Sequence, residues 1–389
     1  MNSGRQRIGV AVIGCGWMGR VHAQAYARVR QHFPELPLEP QLVLAADDGP
    51  GAADAALDRF GFLAATRDWR EVLVDPRVQA VSVTTPTFLH REVGTAVADA
   101  GKHLWIEKPV GTGADDARAV AAAVAAARVQ GTVGFNYRNV PAVASARELL
   151  HAGAIGAVTH ARFRFFSDYA AAPAGALTWR YERARGGSGV LGDLASHAVD
   201  LVRFLLGEIT ELLADVATFI PQRPRPTGVT TGHVLALGGE PGAVENDDYA
   251  SALMRLSSGA RVVLEASRVA VAEQNSYGFE IHGTAGALFW DFRRMGELGV
   301  ARGDRYQDEP VSTVLVGPGA GEYAAFQPGA ANAMSFDDLK VIEAHHFLRS
   351  IADGAASGPV LADAVASALV LDAIAESAGS GRWVRPAGV

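Results

Sequence analysis

Residues 7–29 read RIGVAVIGCGWMGRVHAQAYARV, and no other stretch narrows the possible folds as much. An apolar run rich in β-branched residues meets three glycines at GxGxxG spacing and passes into an alanine-rich helical segment: a strand, a tight turn and a helix. Gly14 permits the turn, Gly16 lets the backbone approach a pyrophosphate, and Gly19 allows the helix to pack closely on the strand. The new helix offers its positive N-terminal end to phosphate groups. The glycine spacing alone is a weak signal, but QLVLAAD (41–47) reads as a second buried strand whose last residue, Asp47, can accept a hydrogen bond from a ribose 2′-hydroxyl. The interval from Gly19 to Asp47 exceeds the usual ~20 residues. FPELPLEP (33–40), with its three prolines, reads as a surface loop that absorbs the excess. Asp47 and Asp48 repel a 2′-phosphate and no arginine closely follows them, so the expected cofactor is NAD rather than NADP. A plainer reading keeps Asp47 as a cap at a strand end.

The same alternation continues. WREVLVD (69–75) and HREVGTAVADAG (90–101) read as helices, and VQAVSVTTP (78–86) and KHLWIEKPVG (102–111) as strands with polar ends. This implies a parallel sheet with right-handed crossovers, a doubly wound Rossmann domain over residues 1–135. Thr85, Pro86, Glu107 and Lys108 close strands and His90 lies on the helix after the first of them, so all fall on the side of the ligand crevice. With Gly14, Gly16, Trp17, Met18, Gly19 and Asp47 they form the expected cofactor set. Lys108 falls near the nicotinamide end, where an ammonium can bind a substrate hydroxyl and stabilise the alkoxide that develops as hydride leaves. The alternative is a surface lysine before a proline turn.

After FNYRNVP (135–141) the alternation gives way to strands: 158–168, 209–220, 248–259, 260–270 and 277–292. A second, α+β domain over residues 136–389 is expected, with a large, mainly antiparallel open sheet. PQRPRPTGVTTGHVLALGGEPGAVENDD (221–248) reads as a long mobile loop. The segments 337–354 and 361–378 read as amphipathic helices, the last of them packing back on the first domain, with His345 and His346 on a helix surface.

A chain of 389 residues has room for about two domains. Its formal charge of −7, without any Lys/Arg block, argues against nucleic acid or an anionic membrane as partner. Cys15 is the only cysteine, which excludes an intrachain disulfide framework and suits a reducing compartment. The apolar run at Ile8–Ile13 ends in glycines rather than extending as a signal-peptide core, and no apolar stretch reaches membrane-spanning length. The chain reads as cytoplasmic, with a small solute as its partner.

LGDLASHAVDL (191–201) sets Asp193, His197 and Asp200 on one face of an otherwise apolar helix. A carboxylate beside an imidazole fixes its tautomer and raises its basicity, as a general base needs. Asp and His pairing to satisfy each other in a core helix is the plain alternative, and a divalent-metal site a weaker one.

Four segments in order, GCGWMGRVH, TTPTFLH, WIEKPVG and GGSGVLGDLASHAVDL, resemble the glucose–fructose oxidoreductase, inositol dehydrogenase and rhizopine-catabolism (Gfo/Idh/MocA) family of NAD(P)-dependent sugar oxidoreductases. The resemblance runs from Ile8 to GRWV (381–384). It implies that Lys108 is the lysine of EKP and that Asp193 and His197 are the DxxxH pair, the three meeting at the nicotinamide face. His197, or a His197–Lys108 relay, then takes the hydroxyl proton while hydride goes to nicotinamide C4, and Asp193 orients the imidazole or binds a neighbouring hydroxyl. Asp200 takes a structural role and no metal is expected. Asn136 and Tyr137 fall where relatives line the sugar pocket, with Arg138 bracing the domain interface or buried structurally. Trp179 and Arg180 lie on the glycine-rich approach to the helix and suit a sugar ring and its hydroxyls, or else a core anchor and an ion pair. The implied activity is oxidation of a secondary hydroxyl of a sugar, glycoside, anhydrosugar or cyclitol, or the reverse reduction. Two alternatives stand beside it: an NAD-dependent glycosidase working by oxidation, elimination and re-reduction, and a non-catalytic sugar or cofactor sensor. A homodimer or homotetramer formed through the open face of the sheet is expected by the same analogy.

Overall fold

Six residues of one strand, Ile8–Ile13, are buried in succession, which is the pattern of a strand covered on both faces. In the computed structural model, which describes residues 5–226, 235, 239–326, 329, 330 and 332–388, this strand sits inside a parallel sheet. The first of two compact units comprises Met1–Asn136 and Ser335–Ala366. Its elements are β1 (Gln6–Ile13), α1 (Trp17–His32), β2 (Leu38–Ala46), α2 (Ala52–Phe60), β3 (Ala64–Thr66), α3 (Arg70–Val74), β4 (Ala80–Val83), α4 (His90–Asp99), β5 (His103–Ile106), α5 (Ala114–Ala127) and β6 (Gly131–Val133). The strand order is β3-β2-β1-β4-β5-β6, every pair parallel. The order reverses beside β1, where doubly wound sheets bind ligands.

The segment FPELPLEP is a loop only as far as residue 37. β2 begins at Leu38, and Pro40 stands opposite Ile8 of β1. A proline is tolerated there because β3 pairs only with Leu44–Ala46, so the other edge of β2 at Pro40 asks for no N–H.

A helix from late in the chain, Phe336–Asp353, belongs to this unit. It opens with a capping box between Ser335 and Asp338. Rather than lying on the surface, it buries Lys340, Glu343 and His345 beside Leu339, Val341, Ile342, Phe347 and Leu348. His345 stacks on Phe33 at 3.8 Å between ring centroids. Its charged side chains neutralise one another, which lets more than one face leave water.

The second unit comprises Tyr137–Met334 and Ser367–Val389. It contains α6 (Pro141–His151), β7 (Val158–Phe166), α7 (Arg183–Gly186), a π-helical turn at Leu191–Ala195 that runs into α8 (Ser196–Leu206), β8 (Ile209–Ala217), β9 (Gln222–Pro224), β10 (Pro241–Ala243), β11 (Tyr249–Leu256), β12 (Arg261–Ser267), β13 (Ser276–Gly283), β14 (Gly286–Asp291), β15 (Glu297–Arg302) and β16 (Ser312–Leu315). Eight of these strands form one sheet in the order β16-β15-β14-β13-β7-β12-β11-β8. It is antiparallel except where β12 runs parallel to β7. Along β11, Ala250, Ala252, Met254 and Leu256 are buried while Leu253 and Arg255 are exposed, the alternation of a sheet covered on one face. α8 packs on β7. The last helix, Leu361–Ser380, crosses the division of the chain at Ala366.

The expected loop at 221–248 is built into this unit at both ends. β9 and β10 form an antiparallel ribbon. Arg223 is buried, its guanidinium donating to the carbonyls of Ala170 and Ala172. Asn246, Asp247 and Asp248 are buried as well, and Arg268 donates to Asp248 Oδ1 at 2.8 Å and to Asn246 Oδ1 at 2.9 Å. Buried arginines take the place of water for these polar residues, a long-range arrangement that composition does not reveal. Residues 227–234 and 236–238 lie outside the described residues. Among the described residues no helix is long and apolar enough to cross a membrane.

Candidate functional site

In the first unit the glycine turn has the shape its spacing requires. Gly14 adopts φ +94°, and a Cβ there would stand 2.7 Å from the Thr84 carbonyl oxygen. A Cβ on Gly19 would stand 1.9 Å from the Gly14 carbonyl oxygen, so α1 packs on the turn as only glycine allows. Gly16 differs: a Cβ there would meet nothing within 4 Å. Its backbone faces open space, as a turn that receives a pyrophosphate must, and α1 starts beyond it with no side-chain cap. Trp17 is exposed and stacks on Phe336 at 5.6 Å. Met18 is half-buried beside it.

Asp47 stands just past β2 with both carboxylate oxygens tied to backbone. Oδ2 accepts from Cys15 N at 2.6 Å and Oδ1 from Gly49 N at 2.8 Å. The capping role and the ribose role are compatible, because each carboxylate oxygen can accept a second hydrogen bond. Thr84, which the sequence did not single out, donates its hydroxyl to Gly14 O at 2.6 Å and so clamps the end of β4 to the glycine turn. Next to it, Thr85 Oγ1 is buried without a hydrogen-bond partner among the described residues. A buried hydroxyl in this position fits the polar edge of a dinucleotide. With the open face of Gly16 and the acidic end of β2, the residues present suit NAD.

His90, at the start of α4, is buried with Nδ1 2.8 Å from the Pro109 carbonyl and Nε2 2.9 Å from that of Thr85. Burial lowers its pKa although the two carbonyls pull the other way. It links the chain after β4 to the chain after β5, and Pro86 lies in the first of these. Glu107 lies inside the unit. Oε1 accepts from His22 Nε2 at 2.9 Å and from Lys340 Nζ at 2.5 Å, while Oε2 stands 3.3 Å from the backbone N of Lys108. Burial alone would raise the Glu107 carboxyl, but the Lys340 ammonium and the His22 N–H outweigh it and hold it below the ordinary carboxylate range. Burial takes His22 down to about 4, against the pull of Glu107. Lys108, half-buried, follows immediately. Asn136 ends this portion of the unit, buried, with Nδ2 lacking a partner among the described residues.

The second unit presents the DxxxH segment on a turn wider than the α-helix its periodicity implies. Leu191–Ala195 forms a π-helical turn before α8, a deviation that recurs at functional sites. Asp247 caps it, accepting from Gly189 N at 3.0 Å and from Leu191 N at 2.9 Å. A side chain on Gly189 would collide with the Asp247 carbonyl, its Cβ 2.1 Å away. Asp193 accepts the Tyr169 hydroxyl at 2.6 Å. Burial and the Asp193 carboxylate both raise the Tyr169 phenol, so it remains a donor.

His197 is buried. Its ring meets the edge of Tyr137 at 4.7 Å, and its backbone carbonyl accepts the Tyr277 hydroxyl at 2.8 Å. Tyr137 is itself buried among Phe165, Tyr277 and Phe292, so it packs the imidazole in place. Asp200 is held bidentately by Arg138 at 2.5 and 2.8 Å, the structural use of both residues. Arg180 lies over the Trp179 ring at 4.4 Å, and its carbonyl accepts Asn246 Nδ2 at 2.7 Å. Tyr169 and Asp247 went unread in the sequence because their partners lie 24 and more than 50 residues away.

Residues 8–135 match the oxidoreductase family with an NAD-binding Rossmann fold, and residues 143–289 match the GFO/IDH/MocA C-terminal domain. The chain is 37% identical over 382 residues to levoglucosan dehydrogenase of Pseudarthrobacter phenanthrenivorans, covering 97% of this chain and 98% of that one. It is 26% identical over 377 residues to inositol 2-dehydrogenase of Rhizobium meliloti, covering 96% and 97%. A solved structure of levoglucosan dehydrogenase in complex with NADH and levoglucosan superimposes with a TM-score of 0.92 at 36% identity, covering 98% of this chain and all of the other.

Proposed function

This chain belongs to the GFO/IDH/MocA family of NAD-binding oxidoreductases, and from that premise we propose that it oxidises a secondary hydroxyl of an anhydrosugar, levoglucosan first among the candidates. The observation that carries the reading is the 37% identity to levoglucosan dehydrogenase through 97% of this chain, a span that takes in both the glycine turn and the DxxxH segment. Other sugars, glycosides and cyclitols share the reacting group and form the wider substrate class.

NAD, when bound, supplies the hydride acceptor. Asp47 holds its ribose, and the open backbone at Gly16 meets its phosphates. The Lys108 ammonium hydrogen-bonds the substrate hydroxyl oxygen and stabilises the negative charge that develops there. His197 takes the hydroxyl proton, its ring kept in one orientation by Tyr137. Asp193, with Tyr169 donating to one of its oxygens, accepts from a neighbouring substrate hydroxyl. Asn136, Trp179 and Arg180 contact the rest of the ring. The protein works in the cytoplasm as a homodimer or homotetramer built on the open face of the large sheet, where Leu253 and Val263 are exposed.

The test is a panel of levoglucosan, free sugars, glycosides and cyclitols incubated with NAD, following absorbance at 340 nm and released aglycone together. NADH accumulating without aglycone, fastest with levoglucosan, supports the reading. Aglycone release that requires NAD but leaves no net NADH replaces it with the redox-neutral glycosidase.

A further inference from the structure

Among its 35 lysines and arginines the chain has only three lysines, at positions 102, 108 and 340. A composition so tilted toward arginine makes each ammonium informative, because the two cations differ: lysine is a compact point charge, whereas the arginine fork is planar and bulky. All three lysines lie in the first unit. Lys102 is buried, its ammonium satisfying the backbone carbonyls of Asp75 at 3.0 Å and Val78 at 2.6 Å. Lys108 is the half-buried lysine at the end of β5. Lys340, 1% exposed, sits 2.5 Å from Glu107 Oε1 and 2.7 Å from Glu343 Oε2.

We propose that Lys340 is the positioning residue for Lys108: with His22 it pins the Glu107 carboxylate, whose other oxygen holds the backbone N–H of Lys108 and so fixes the chain from which the catalytic ammonium projects. The geometry leaves that carboxylate little freedom. His22 grips Oε1 from α1, stacked on Trp105 at 3.6 Å. Lys340 grips the same oxygen from the helix Phe336–Asp353, its ammonium 5.8 Å from the Trp105 ring centre. Gly134 closes the remaining side, since a Cβ there would stand 2.6 Å from Oε1. Glu107 thus cannot turn toward solvent, and Oε2 faces the Lys108 amide. A residue 233 positions downstream of Glu107 completes the mounting of a group in the EKP turn. The one ammonium serves two carboxylates at once, that of Glu107 and that of Glu343.

This inference rests on the oxidoreductase reading for the catalytic role of Lys108, and its test separates the two. Reductive methylation of the native protein with 13C-formaldehyde labels Lys108 and the terminal amine ahead of the buried Lys102 and Lys340. The 13C signal of Lys108 is then read with no substrate present, for the parent, Lys340→Met and Lys340→Arg. In parallel, NAD affinity is titrated and kcat and KM are measured with levoglucosan. Lys340→Met is expected to shift the Lys108 signal and to lower kcat by about 10- to 100-fold, as small misplacements of catalytic groups do. NAD affinity and KM stay within about threefold of the parent, and Lys340→Arg recovers part of both effects. Should Lys340→Met fail to fold, Glu107→Gln with Lys340→Met removes the stranded carboxylate and is expected to keep the displaced Lys108 signal. A folded variant with an unchanged Lys108 signal overturns the proposal. So does a fall in kcat that tracks the folded fraction and NAD affinity alone. If no substrate is oxidised by the parent, the oxidoreductase reading fails on its own, and the Lys108 signal still decides whether Lys340 positions that side chain.

Discussion

In the mechanism proposed above an ammonium and an imidazole act on one hydroxyl in different ways, and replacing the imidazole isolates its contribution. His197→Ala removes the proposed proton acceptor and leaves the glycine turn unaltered, so kcat at neutral pH is expected to fall by about 10²- to 10⁴-fold while NAD affinity holds. Turnover within a few fold of the parent would remove His197 from the base role. Asp47→Ala deletes the proposed charged acceptor for the ribose, an expected loss of roughly 1.5–3 kcal/mol, which would raise the NAD Kd by about 10- to 100-fold. A calorimetric titration checks this, and an unchanged Kd would leave Asp47 with only its bonds to Cys15 and Gly49. As candidates only, Lys108, Asp193, His197 and Asp47 were legible in the sequence, because each sits inside a short local pattern. His22, Tyr169 and Lys340 were not, because their meaning lies in partners that only the fold brings near.

The segment around 191–206 shows where periodicity stops informing. Its apolar spacing announces a helix and sets Asp193 and His197 apart from the apolar residues, but a period of 3.6 does not disclose that its first turn is a π-turn. Asp247 sets that turn through two backbone N–H groups, although the composition around it suggests a loop. Asp247→Ala leaves those donors buried and unmatched, which costs about 1–3 kcal/mol of stability by urea unfolding. Because the same turn carries Asp193, the role proposed for that carboxylate predicts that kcat falls with it while NAD affinity does not. A variant of parental stability would show the cap to be dispensable.

The folded chain as a whole carries an acid sensitivity concentrated in its first unit. Burial holds His22, His345 and His346 neutral, each lowered from 6.5 to about 4. The unfolded chain takes up these protons first, so the stability these rings contribute is fully present above pH 6.5 and is lost as pH falls toward 4. Glu107 acts in the same direction at lower pH, since its folded carboxyl stays ionised below the ordinary 4.5. For His22 alone the loss approaches about 3 kcal/mol. Melting temperatures measured across this range should fall steadily, and less in His22→Asn; a flat profile would contradict neutral burial of these rings. The two-part architecture and the parallel sheet could be read from alternating patterns and glycine spacing. The burial of 336–353 could not, because its lysine, glutamate and histidines look solvent-facing until their partners are known.

The most direct measurement uses levoglucosan deuterated at its carbon positions, incubated with the protein and NAD, with the NADH product analysed by mass spectrometry. NADH that carries deuterium, transferred from a carbinol carbon as hydride, and a slower rate than with unlabelled sugar are the expected results. NADH free of deuterium, or no NADH from levoglucosan or any other carbohydrate or cyclitol tested, would contradict the proposed oxidation.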